Sequence, residues 1–111
     1  MRHLALNVKQ SRNKTILKCV ITKEDDTFCS LCLDLNIAMD GLTIKEAENN
    51  LLEAIKDYIE VCLEENIPIL REVPIEDNPL FNDEEVIVKK FLILLNYDLT
   101  SYVIDSYIKA A

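Results

Sequence analysis

The sequence predicts an α+β fold: a small antiparallel sheet of three to four strands covered by one long helix, with a short helix at the carboxyl end. Three observations lead there. One segment, Thr43 to Asn66, is amphipathic with a helical period. Three short runs rich in β-branched or alternating residues precede it, and one apolar run follows a connector that holds all three prolines of the chain. The expected order is β-β-β-α-β. At 111 residues the chain is one domain by length, large enough for a core that hides roughly two-thirds of its unfolded surface.

Taken in order, His3 to Val8 alternates Leu4, Leu6 and Val8 against His3, Ala5 and Asn7, a possible extra strand within an amino-terminal extension, residues 1–14. Gln10 to Asn13 is a polar connection. Thr15 to Thr22 reads as a strand with Leu17, Cys19 and Ile21 on its apolar face. Lys23 to Asp26 is a turn by composition, and Thr27 to Leu33 a second strand. Its two faces, Thr27, Cys29, Leu31 and Leu33 against Phe28, Ser30 and Cys32, are both partly apolar, which suits a central place in the sheet. Asp34 to Asn36 breaks the run, and Ile37 to Asp40 is a short third strand. Gly41 then turns the chain into the helix, where freedom at positive φ would suit a tight junction.

Within the helix, Ile44, Ala47, Leu51, Ile55, Tyr58 and Cys62 recur at steps of three or four and mark the face to be buried. Thr43 and Glu46 form a capping box, Asn66 tolerates a left-handed cap, and Pro68 cannot continue the helix. The opposite face carries Glu46, Glu48, Glu53, Asp57, Glu60, Glu64 and Glu65 against Lys45 and Lys56. Glu53, Asp57, Glu60 and Glu64, at steps of four, three and four, line up as one stripe of carboxylates that repel each other. Such a stripe is either a solvated outer face or a docking surface for a basic partner.

Beyond Pro68, residues 69–83 read as an extended, irregular connector outside the core. Residues 84–95 have the β-branched content of a strand and almost the length of a helix; the favoured reading is a strand near Val86 to Leu92. A crossover into a strand parallel to the third would be right-handed. Asp98 or Thr100 would cap a final helix to Lys109, with Tyr102 or Val103, Ser106 and Tyr107 on one stripe.

A formal net charge of −8 gives nucleic acid no general attraction, so DNA binding by the chain alone is not expected. A single glycine excludes glycine-rich phosphate loops, and no cofactor is expected. The four cysteines, Cys19, Cys29, Cys32 and Cys62, lie in hydrophobic segments, as small buried residues of a reduced, cytoplasmic protein would. The first residues lack the apolar run of a secretory leader, and no apolar stretch approaches the ~18 residues of a membrane span. Cys29-x-x-Cys32 would sit on opposite faces of a strand and lacks a second ligand pair, so no metal site is expected. His3 is the single histidine and lies near the terminus. Asp34 and Asp40, flanking the third strand, are better explained as turn formers than as a cation pair. Thr43 and Glu46 are accounted for by capping. No catalytic constellation emerges, and the expectation is a protein that is not an enzyme.

The run DDTFCSLCLDLNIAMDGLTIKEAENNLLEAIKDYIEVCLEENIP, residues 25–68, resembles the HicB-type antitoxin domain. The residues that carry the likeness are Cys32, Asp34 and Leu35 in the turn, Gly41 and Thr43 at the junction, and Glu46, Ala47, Leu51, Ala54 and Ile55 in the helix. With the first strand, the resemblance covers residues 15–68. Leu33 stands where that family usually has proline, and Leu42 where a polar residue often precedes the threonine. The tail from Ile75 onward matches neither the helix-turn-helix nor the ribbon-helix-helix pattern of members that repress their own operon. The resemblance implies a partial ribonuclease-H-like sheet without catalytic carboxylates. It implies a domain that masks the RNA-binding face of a small basic ribonuclease toxin, and a homodimer or tetramer. The acidic stripe Glu53, Asp57, Glu60 and Glu64 is then the expected partner-binding face. The alternative is a stand-alone oligomeric scaffold or adaptor with no toxin partner.

Overall fold

The computed structural model describes residues 13–82, 84–98 and 101–109, with side chains as far as residue 104. The expected strand at His3 to Val8 lies outside the described residues. The fold is α+β, a five-stranded antiparallel sheet with one long helix in the order β-β-β-α-β-β. Strands β1 (Asn13–Glu24), β2 (Thr27–Cys32) and β3 (Ile37–Gly41) precede helix α1 (Ile44–Glu65), and β4 (Ile87–Tyr97) and β5 (Tyr102–Lys109) follow. In space the order is β3-β2-β1-β4-β5. The long central β1 pairs with β2 along Cys19 to Glu24 and with β4 along Asn13 to Thr22.

Local chemistry accounts for the first three strands. Asp25, at φ 52°, makes the tight turn between β1 and β2, and Asn36, at φ 55°, closes the next, where its N–H donates to the Cys32 carbonyl at 2.9 Å. Asp and Asn tolerate that left-handed region better than most residues. β2 lies between β3 and β1, as its two apolar faces suggest. Phe28, Ser30 and Cys32 face α1, whereas Leu31 and Leu33 join Val20 on the other side.

The caps of α1 lie where the sequence places them. Thr43 Oγ1 accepts the Glu46 N–H at 3.0 Å, while Glu46 Oε1 reaches back to the N–H of Leu42 at 2.8 Å, one residue before the cap. Asn66 takes φ 57°, and its N–H and that of Ile67 both return to the Cys62 carbonyl. Two details of the helix differ from expectation. Ile59, not Tyr58, is fully buried, and Tyr58 is half-buried with its hydroxyl donating to the Ile69 carbonyl at 2.9 Å. Glu48, assigned to the solvated face, is 4 % exposed and forms an ion pair with Lys89 of β4.

Gly41 does not adopt positive φ. A Cβ there would lie 2.4 Å from the Ala47 backbone nitrogen, so glycine is needed for the close approach of the first helical turn. The core between α1 and the sheet unites Leu17, Cys19, Ile21 and Cys32 with Leu51, Ile55, Ile59, Phe91, Ile93 and Leu95.

Three features of the second half are set by the structure, the first and third of them against expectation. Residues 69–83 contribute Ile69 and Val73 to buried clusters, and the Arg71 and Val73 N–H groups donate to the Asp34 and Leu33 carbonyls at 2.7 and 2.9 Å. The segment contains a short 3₁₀ turn, Ile75–Asp77, and the four-residue helix α2, Pro79–Asn82. Val73 and Leu80 pack over Val20 and Leu33 on the face opposite α1. Second, β4 is antiparallel to β1, and in this all-antiparallel order it also runs opposite to β3. The handedness rule governs a strand-to-parallel-strand crossover, and this long connector returns the chain along the sheet before β4 begins. Third, no final helix forms between 102 and 109: β5 pairs antiparallel with β4, with a bulge at Leu94/Leu95. Tyr, Val and Ile at 102–104 suit a pleated surface, and the open edge of β4 supplies the partner. The capping candidate Thr100 lies outside the described residues.

Candidate binding face

All four proposed partner-binding residues, Glu53, Asp57, Glu60 and Glu64, are exposed on α1. The helix brings them to one side because their spacing follows its period, while Leu51, Ile55, Ile59 and Cys62 hold the other side on the sheet. Lys56 sits 3.9 Å from Glu53, an exposed pair that neutralises little. The last turn contains no basic residue, so its acids add to the negative end of the helix dipole.

The sheet reaches this face through one side chain. Tyr102, first residue of β5, donates its hydroxyl to Glu60 Oε2 at 2.9 Å. Its phenol is pushed up to about 12, first by burial and then by the hydrogen bond to Glu60, with Asp57 and Glu53 adding negative potential. Glu60 is therefore both part of the stripe and the latch that holds the start of β5 against α1.

Below the stripe, where α1 ends, an open groove of about 430 Å³ runs between the helix foot and the end of β4. Leu63, Ile67, Ile69, Leu70 and Tyr97 form most of its apolar lining, with Asn13, Asn66 and Asp98 at its polar edges. Ile67 is 49 % and Leu70 50 % exposed. Sequence reading missed this groove because it joins residues from β1, α1, the connector and β4.

The remaining sequence candidates do not assemble. Asp34 and Asp40 sit before and near the end of β3: both oxygens of Asp34 accept from Lys18, one from its backbone N–H and one from Nζ at 2.8 Å, while Asp40 lies within the strand opposite Cys29. Cys29 and Cys32 fall on opposite faces of β2 as expected, but Cys32 lies directly across from Cys19. Both are buried, and the Cys19 thiol is pushed far up, first by its hydrogen bond with Cys32 and then by burial. The Cys32 thiol is lowered, first by that same bond and further by the amides of Asp34 and Leu35. Among the described residues no cluster of three or more His, Cys, Asp or Glu side chains could hold a metal ion. No described helix is long and apolar enough to cross a membrane.

The Glu48–Lys89 pair was missed too, although its position held a signal. Glu48 is four residues after Ile44 and three before Leu51, on the buried stripe itself. What the sequence did not show is the cation that makes the burial tolerable.

Comparison with protein-family models, curated proteins and solved structures finds no match. The chemistry available on this face is therefore read from its own residues. A row of exposed carboxylates can attract, orient and hold a positively charged surface.

Proposed function

We propose that this chain is a binding protein of the HicB-like antitoxin kind, which neutralises a small basic ribonuclease by covering the face with which that ribonuclease holds RNA. The observation that carries the reading is the row Glu53, Asp57, Glu60 and Glu64, exposed along one helix of a chain with net charge −8. Complementary potential speeds encounter and rejects acidic partners, and an RNA-binding face is a basic surface that such a row fits. Gly41 and Thr43, two of the residues that carry the resemblance, both have a structural role at the start of α1, the one in the close approach of the first turn and the other in its cap. The finer shape we infer for the core is the partial ribonuclease-H-like one, and Thr15 to Thr22 of its first strand contains no acid.

The test is co-expression with the short basic reading frame that would adjoin this gene. A complex that blocks RNA cleavage by the basic protein, and that weakens with salt and with Glu53→Lys plus Glu64→Lys, is the expected result. The absence of such a neighbour, or cleavage undiminished by an excess of this chain, refutes the reading.

A second reading, an oligomeric scaffold with no toxin partner, has one observation in its favour. The sheet face opposite α1 leaves Ile16 52 % and Val103 48 % exposed, and Leu94, half-buried, pairs in register with Ile16. A second copy would cover that patch, giving a homodimer or, with a further interface, a tetramer. FLILL, residues 91–95, contributes only Leu92 and Leu94 to it, because Phe91, Ile93 and Leu95 are core residues. Sedimentation equilibrium at micromolar concentration tests this reading: a monomer argues against the scaffold, whereas an oligomer is common to both readings and leaves the co-expression test to separate them.

A further inference from the structure

We propose that the groove at the foot of α1 is the anchor site of the basic partner: it takes an apolar side chain whose flanking lysines or arginines lie along Glu60, Glu64 and Glu65. The proposal rests on the reading of a basic protein partner and specifies where that partner is held. Three observations carry it.

The first is the lining. Ile67 and Leu70 each keep about half their surface in water, yet they stand beside Leu63, Ile69 and Tyr97 in one concave site of about 430 Å³. Scattered exposed aliphatics are ordinary, but exposed aliphatics converging on a concavity mark a place where another apolar group can be buried.

The second is the charge at the rim. Leu63 and Asn66, which line the groove, bracket Glu64 and Glu65 in the chain, with Glu60 one turn earlier. The last turn has no basic residue. Arg71, just beyond the groove, is occupied: its guanidinium lies over the Tyr58 ring at 5.2 Å and its Nε donates to the Leu35 carbonyl at 3.2 Å. Lys14 follows the groove residue Asn13, but β1 alternates, with Leu17, Cys19 and Ile21 toward α1, so Lys14 belongs to the opposite face of the sheet. An apolar anchor flanked by cations meets this rim favourably; one flanked by acids is repelled.

The third is continuity. The stripe at 53, 57, 60 and 64 leads down α1 into the groove, so one partner segment can use both. The stripe then acts in encounter and the groove in retention, the usual division between long-range charge and a buried hot spot. A second copy of this chain is the poorer occupant. A two-fold contact through this end sets Glu64 and Glu65 of one copy against the same residues of the other.

The experiment uses the full chain with methyl and amide resonances assigned, titrated with three synthetic twelve-residue peptides. One combines lysine and leucine, the second replaces its leucines by serine, and the third replaces its lysines by glutamate. The lysine–leucine peptide should shift the methyl signals of Leu63, Ile67 and Leu70 together with the amides of Asp57, Glu60 and Glu64. The lysine–serine peptide should move the amides alone and bind roughly tenfold more weakly, the factor expected when one aliphatic side chain loses its buried site. The glutamate–leucine peptide should move neither set. Leu70→Asn, at a half-exposed position, should erase the tenfold difference and leave lysine–serine binding unchanged, because it removes the apolar contact without changing the charge; Ile67→Thr gives the same readout should the first variant fold poorly. Amide shifts without methyl shifts overturn the groove and leave the acidic stripe standing. Methyl shifts without amide shifts keep the groove and overturn the stripe. Methyl shifts that grow with protein concentration and no peptide show a second copy in the groove, and Overhauser contacts from residues 1–12 to these methyls show the chain's own segment there; either overturns the proposal.

Discussion

Replacing Lys89 by Met should destabilise the protein by about 3 kcal/mol, a large effect for one surface-to-core contact. Glu48 is 4 % exposed and its carboxylate is held by Lys89 Nζ, which itself retains 19 % of its side-chain surface. Removing the cation leaves a buried carboxylate without its counter-charge, and breaking such a pair from one side typically costs ~3–5 kcal/mol. The lower end applies because the lysine reaches partly into water, so solvent can follow once the ammonium is gone. In a domain of this size about 3 kcal/mol lowers Tm by roughly 12 °C or more. Urea unfolding followed by circular dichroism should show the midpoint falling with the slope unchanged. The double variant Glu48→Leu plus Lys89→Met should recover most of the loss, since replacing both partners by apolar groups is often close to neutral. If Lys89→Met alone stays within about 0.5 kcal/mol of the parent, Glu48 is solvated and the α1–β4 contact is not as described.

Four further outcomes are expected. Tyr102 keeps its proton to about pH 12 in the folded chain. An unfolded phenol titrates near ~10, so its contribution is fully present below pH ~10 and is lost as pH rises toward about 12; phenolate absorbance with and without Tyr102→Phe reads it directly. Gly41→Ala should lower stability by ~1–3 kcal/mol, because the added methyl falls 2.4 Å from the Ala47 nitrogen; a thermal melt within 1 °C of the parent would refute that packing. Reversing Glu53 and Glu64 to lysine should change stability by less than ~0.5 kcal/mol, whereas Glu60→Lys should cost ~0.5–1.5 kcal/mol through the lost Tyr102 bond; equal effects would detach Glu60 from β5. The chain alone should give no footprint on duplex DNA at physiological salt in the presence of competitor, since its net charge of −8 opposes phosphate.

Much of the architecture and part of the candidate site are legible in the residues. The helix from Ile44 to Glu65, its Thr43 and Asn66 caps and the β1–β2 hairpin all follow from near-neighbour rules, and so does the exposure of Glu53, Asp57, Glu60 and Glu64. Hydrogen-bond periods and cap chemistry act within a few residues, and a linear reading sees that range completely. The carboxyl-terminal half was less legible for the same reason. Tyr102 to Lys109 has residues that fit a strand as well as a helix, and the free edge of β4 decided between them.

What the sequence by itself determined is therefore local: which segments can be helix or strand, where α1 starts and stops, and which of its faces must be covered. Only the tertiary structure decided the direction of β4, the strand at β5, the burial of Glu48 and the groove beside Leu70. The Glu48–Lys89 and Glu60–Tyr102 contacts span 41 and 42 residues, and each needs both ends delivered by separate elements. Such contacts depend on the path of the connector between α1 and β4, which bonds to the Leu33–Asp34 turn and reverses the chain before the last two strands pair. No period or motif within a segment encodes that path, because it is set by which buried surfaces and backbone groups can be satisfied together.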